Sequence, residues 1–181
     1  LCVLIPIVLA VAAALVYFPP LRGAPCAHWP WTDGISVRMV EGECVGYSDN
    51  AEQTFADDPE LSAIQREVFR LNAAAVEARG SNPKRPLVSL VYFAGLSYVD
   101  TNVKYPHAQV EELAGLAVQQ RRALLASDES EPLLRVIVAN GGTDMQHAQW
   151  VVNNSLRSLI AEDPSVLGVV GIDRSTDETR A

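Results

Sequence analysis

From Leu133 onward the apolar positions of this chain switch between two periods. Leu133 to Ala139 and Val166 to Ile172 are short, β-branched, almost wholly apolar runs. Between them Ala148, Val151, Val152, Leu156, Leu159 and Ile160 recur at helical spacing, the mark of one buried helix face. Two such strands joined through one helix predict a βαβ unit, with parallel strands and a right-handed crossover. The lack of polar alternation predicts a sheet covered on both faces. Thr143 and Gln146 have the spacing of a capping box, and Glu162-Asp163-Pro164 is a stop signal. Trp150 falls opposite the Val152, Leu156 and Leu159 stripe. It therefore needs a cover from outside the unit, either the helix of residues 58–80 or the loop between Cys26 and Cys44.

A third apolar run, Pro86 to Ala94, predicts the first core strand. Gly95 to Pro106 follows as a loop of about a dozen residues, longer than the roughly two to six usual in α/β units. A helix from His107 to about Ser127 then buries Val110, Leu113, Ala114, Ala117, Leu124 and Leu125, with Arg121 inside the stripe and needing an exit for its head group. The expected fold class is α/β, a doubly wound parallel sheet with strand order 2-1-3. Upstream, Asp58-Pro59 opens an amphipathic helix over residues 57–80, with Leu61, Ile64, Val68, Leu71 and Ala75 as its stripe and Gly80 as its C-cap. The stripe is too short for a coiled coil and is expected to dock on the domain. Ser81 to Arg85 reads as a polar linker.

Residues 1–18 carry no charge. At helical rise they span about 27 Å against a hydrocarbon core of roughly 30 Å, so a transmembrane helix is expected, ended by Pro19-Pro20. The rival reading is the core of a cleaved signal peptide, against which stand the length of the run and the lack of a close Ala-x-Ala site. Pro25 before Cys26 excludes a lipid-attachment pattern. Residues 19–56, rich in Gly, Pro, Trp and Asp and without a helical period, read as an extracytoplasmic linker. Cys26 and Cys44 in it suggest a disulfide, with two free buried thiols as the alternative. A disulfide would place everything after residue 19 outside the cell membrane.

Charge narrows the function. The net charge is −8, with only two lysines among 14 cations. An acidic chain without a basic stripe is a poor partner for nucleic acid. There is no glycine fingerprint after the first strand, no phosphate-loop lysine, no Gly-x-Ser-x-Gly elbow and no His-Glu-x-x-His. His28, His107 and His147 share no ligand spacing. No catalytic residue, metal site or cofactor is expected, and the chain is not read as an enzyme. What remains are three loops at the carboxyl ends of parallel strands, Gly95 to Pro106, Asn140 to Asp144 and Gly171 to Thr176, where open α/β sheets bind ligands. Their hydroxyls and amides suit an anionic or zwitterionic small molecule, with Ser97, Asp144, Ser175 and Thr176 as candidates.

The strand, Asn140-Gly-Gly-Thr-Asp144, the helix, Glu162-Asp163-Pro164 and the run from Val166 to Thr176 together resemble the N-terminal lobe of type 1 periplasmic solute-binding proteins. The branched-chain amino-acid-binding family of ABC transporters is the nearest. The resemblance covers residues 86–181 as a partial lobe and implies a bilobed receptor in which Ser175 and Thr176 hold a ligand carboxylate. Asp173-Arg174 departs from the small residues usual there. The expected function is a membrane-tethered solute-binding protein serving an ABC permease, for amino acids or similar solutes. The alternative is a sensory ectodomain of a membrane receptor on the same fold. Leu1 lies inside an apolar run and Ala181 where a new helix is due, so the chain is expected to be a fragment of a longer protein.

Overall fold

The computed structural model describes residues 26, 34–55, 58–97 and 107–171. The candidate transmembrane segment 1–18 and the loop residues Ser175 and Thr176 lie outside them. Among the described residues no helix is long and apolar enough to cross a membrane.

Five strands form one mixed sheet in the order β1-β2-β4-β3-β5. They are β1 Ile35–Val40, β2 Glu43–Ser48, β3 Leu87–Ala94, β4 Leu133–Asn140 and β5 Val166–Gly171. Strand β3 pairs in parallel with both β4 and β5, so the three core strands stand in the order second, first, third. Helix α1 (Pro59–Ser81) and α2 (His107–Leu125) cover one face. The other face carries α3, which runs from Ala148–Val151 through a π turn, Val152–Leu156, to Arg157–Glu162. The alternation of β3 and β4 sorts the core. Tyr92, Ala94, Val136 and Val138 point to α1 and α2, while Val91, Phe93, Ile137 and Ala139 point to α3.

The main correction concerns residues 19–56. Their second half is not a linker but a hairpin that extends the sheet, β1 antiparallel to β2 and β2 antiparallel to β4. The turn between them is two residues, Glu41 (φ 49) and Gly42 (φ 88), the left-handed pair that a primed hairpin turn requires. Cys26 and Cys44 stand at disulfide distance with their Cα atoms 5.5 Å apart, which fastens the upstream chain to β2. Val40, inside the loop that this pair closes, packs on the α3 cluster, as does half-buried Trp150. Trp150 thus packs on the face opposite α1.

Smaller corrections follow from packing. Asp58 caps α1 as expected, its carboxylate accepting from Leu61 N at 2.8 Å. That helix runs past Gly80 to Ser81, with Asn82 as C-cap. Thr143 and Gln146 form no capping box: Thr143–Met145 is a separate 3-10 turn, and α3 proper begins at Ala148 after His147. The π turn adds a residue to one helical turn and rotates the later positions. Ser155, Leu156 and Leu159 face the sheet, while Val152 (39% exposed) and Ile160 (47%) face out. Leu125, at the end of α2, is 83% exposed rather than core. Arg121 finds its exit sideways, toward Glu67 of α1 at 2.6 Å. Arg85 is buried rather than in a polar linker, its guanidinium donating to the carbonyls of Glu131 and Ala123 and so capping the end of α2. Strand β5 is not covered on both faces: Leu167 is 68% exposed and lies at a register step opposite Ser89 and Leu90.

Two polar devices complete the sheet. Strand β2 ends opposite Val138, which leaves the N–H and C=O of Val136 with no strand to pair them. The side chain of Asn72 on α1 supplies both partners at 2.8 Å, standing in for one residue of a neighbouring strand. Gln120 of α2 donates to the Oδ1 of Asn72 at 2.7 Å, so one amide chain links both helices to β4. Nearby, Arg135 of β4 binds Asp49 at 2.8 Å and Asp163 at 2.9 Å, joining the hairpin and the end of α3 to the central strand. The two acids respond oppositely. Burial pushes Asp49 above its usual carboxylate range despite Arg135. Asp163 also feels burial, but bonds from Ser165 and Arg135 outweigh it and hold it lower.

Replacing Asn72 with Ala leaves two buried backbone groups of β4 unpaired. The expected loss is about 3 kcal/mol, or a fall in Tm of about 10 °C by calorimetry. A change of under about 2 °C would show that the substitute rung carries no weight. Hydrogen bonds from Arg70 and Arg121 hold Glu67 down to about 2 from 4.5. A depressed carboxylate contributes stability that is complete above its unfolded pKa and lost as pH falls through the folded value. The urea midpoint of the wild type should therefore decline between about pH 4.5 and 2 more steeply than that of Glu67→Gln. Parallel declines would contradict it.

Candidate functional site

The carboxyl ends of β3 and β4 are held together by one residue. Asn140 is 1% exposed, and all four of its bonding positions are used. Its Oδ1 accepts from Leu96 N at 2.8 Å and from Gly142 N at 2.9 Å. Its Nδ2 donates to the Cys44 carbonyl at 2.7 Å and to Ser97 Oγ at 2.9 Å. Asn140 therefore fixes three segments at once: the chain leaving β3, its own turn, and β2. Thr143 Oγ1 adds a bond to the Ser97 carbonyl at 3.0 Å. The structure thus brings Ser97 to Asn140 and Thr143, with its hydroxyl already serving as an acceptor. Asp144 stands exposed at the tip of the same turn, at φ 50.

The loop of residues 140–144 also has an occupant. Glu43, the first residue of β2 and 6% exposed, extends its carboxylate into the turn. There Oε2 accepts from Thr143 N at 2.6 Å and Oε1 from Gln146 Nε2 at 2.6 Å. The amide that an anionic ligand would seek is filled by the chain's own anion. The fit is tight: a Cβ on Gly142 would lie 2.6 Å from His147 Cδ2 and 2.8 Å from Glu43 Oε2. His147 is 7% exposed, and among the described residues its Nε2 has no hydrogen-bond partner. Asp144 (φ 50) and Met145 (φ 64) are consecutive left-handed residues, a strained pair that the Glu43 clasp and the buried Met145 side chain hold in place.

Of the predicted loops, the one after β4 is therefore closed from within. The crevice at the point where strand order reverses lies instead between the carboxyl ends of β3 and β5. Ser175 and Thr176, expected just beyond β5, fall outside the described residues, as do most of Gly95 to Pro106. Among the described residues no group of three or more His, Cys, Asp or Glu could hold a metal ion. Glu43 was invisible to motif reasoning, Gln146 read as half of a capping box, and His147 entered only as a histidine without ligand spacing. Glu43 meets Thr143 across 100 residues of sequence, and only the Gly141-Gly142 pair hinted at a crowded turn.

Asn140→Asp keeps shape and acceptors but removes both donors, including the one to the Cys44 carbonyl, and adds a buried charge. The expected cost is about 3 kcal/mol in urea denaturation at neutral pH, with the m-value unchanged. A loss below about 1 kcal/mol would mean that the hub is replaceable by water. No protein-family model, curated protein or solved structure matches this chain.

Proposed function

We propose that this chain carries a partial lobe of a membrane-tethered, extracytoplasmic solute-binding protein for amino acids or similar small polar solutes, working with an ABC permease. The observation that carries the reading is the placement of β3 between β4 and β5, with all three strands parallel. That order sets the carboxyl ends of β3 and β5 side by side, which is where open α/β sheets hold ligands. The type 1 lobe's resemblance to residues 86–181 supplies the ligand class. Support for an extracytoplasmic site comes from Cys26 and Cys44 at disulfide distance. The apolar run 1–18 supplies the tether.

In this reading the β3–β5 end forms one wall of a ligand cleft, with the Ser175 hydroxyl donating to a ligand carboxylate and Thr176 beside it. The second lobe lies outside residues 86–181. Closing two lobes around the solute excludes water and strengthens those few polar contacts. Isothermal titration of the longer protein with a panel of amino acids tests it. Saturable binding is expected, weakened about tenfold or more by Ser175→Ala, since the bond lost is one to a charged group. Residues 19–181 alone should show none, because two or three open contacts do not offset an association cost of roughly 4–15 kcal/mol. An unchanged affinity in Ser175→Ala, or tight amino-acid binding by residues 19–181, contradicts the reading.

A further inference from the structure

On the α2 face of the sheet, below the strand ends, a groove of about 460 Å³ runs between α2 and β5. That volume lies within the range of roughly 300–1,000 Å³ typical of small-molecule sites. Its floor is aliphatic, from Leu116 of α2 and Val170 of β5. Its one charged group is Glu112, whose Oε2 accepts from the Tyr92 hydroxyl at 2.7 Å. Tyr92 is 1% exposed, so a phenol anchored in the core holds the carboxylate in one position. Among the described residues no ion pair engages Glu112.

A second observation concerns Gly115, in the middle of α2 and one turn on from Glu112. Glycine destabilises a helix interior relative to alanine. Packing does not call for it here, because a Cβ at Gly115 would meet nothing within 4 Å. What the absent side chain leaves is the width of the groove. Gly171, at the upper end, is different: a Cβ there would come within 2.8 Å of the Phe93 carbonyl.

We infer that this groove binds a small organic cation, a primary ammonium on a short aliphatic chain. The ammonium pairs with the Glu112 carboxylate, the methylenes lie on Leu116 and Val170, and the Gln119 amide closes the lower end. Glu112 repels an anion, and a neutral diol gains only the walls. Every residue invoked belongs to β3, α2 or β5, and neither Ser175 nor Thr176 is among them.

The test is a titration of the full chain, labelled with ¹⁵N-glycine, with 1,4-diaminobutane. Saturable shifts are expected at Gly115 and Gly171, and none with 1,4-butanediol or succinate. Glu112→Gln should weaken binding about tenfold, since the ammonium loses its charged partner and keeps only a neutral acceptor. Gly115→Leu should fill the groove and abolish the shift that remains observable, at Gly171, without lowering Tm, which separates loss of the site from loss of the fold. No shift with the diamine overturns the inference, including the case in which another part of the chain covers the groove. An equal response to the diol, or an unchanged affinity in Glu112→Gln, overturns it as well.

Discussion

The side-chain amide of Asn140 is the interaction on which the rest of this structure depends. It sits at the last residue of the central strand, where one parallel sheet must stop and three chain segments must part. Each of those segments ends in a backbone group that water does not reach. One buried amide has two donor and two acceptor positions, and here every one meets such a group or the Ser97 hydroxyl. A fully satisfied buried polar hub stabilises and specifies one arrangement, whereas a half-satisfied one would cost more than an apolar core. The same residue therefore sets the register of β2 and the path of the chain leaving β3.

A similar logic operates lower on β4. The hairpin is too short to run along the whole central strand, and the exposed rung at Val136 would be a defect in a sheet edge. Asn72 repairs it from a helix, and Arg135 ties the hairpin's end to the end of α3. Both repairs come from side chains whose partners lie 64 and 86 residues away. The hairpin is thus integral to the domain, held by backbone ladder, buried amide and ion pair together. It also carries Cys44, whose carbonyl accepts from Asn140, so the Cys26–Cys44 pair adjoins the end of the central strand.

The two ends of the sheet's carboxyl edge have opposite characters. Beside β4 the chain fills its own anion site with Glu43 and packs Gly142 against a buried imidazole, leaving a closed and strained turn. Beside β5 the surface is open among the described residues: a groove with a fixed carboxylate, a glycine that nothing crowds, and an edge strand with exposed Leu167 and Val169.

The elements with strong local periodicity were legible from the residues alone. These are the three parallel strands, their order, the helix capped by Asp58, and the approximate faces of α2 and α3. The sequence by itself determined these because apolar spacing along one segment reports which side of that segment is buried. It was silent on the hairpin, whose strands are short and whose Glu41-Gly42 turn lacks the usual Asn or Asp. It misassigned Thr143 and Gln146, because a capping box and a clasp for Glu43 look the same until Glu43 is placed. Leu125, Val152 and Ile160 read as core because spacing alone does not separate the flank or the end of a helix from the centre of its buried face. Only the tertiary structure decided which carboxylate fills the turn after β4, which amide completes β4, and which groove stays open. Those outcomes depend on side chains from about 60 to 100 residues apart meeting in three dimensions, and no local pattern of hydrophobicity encodes such meetings.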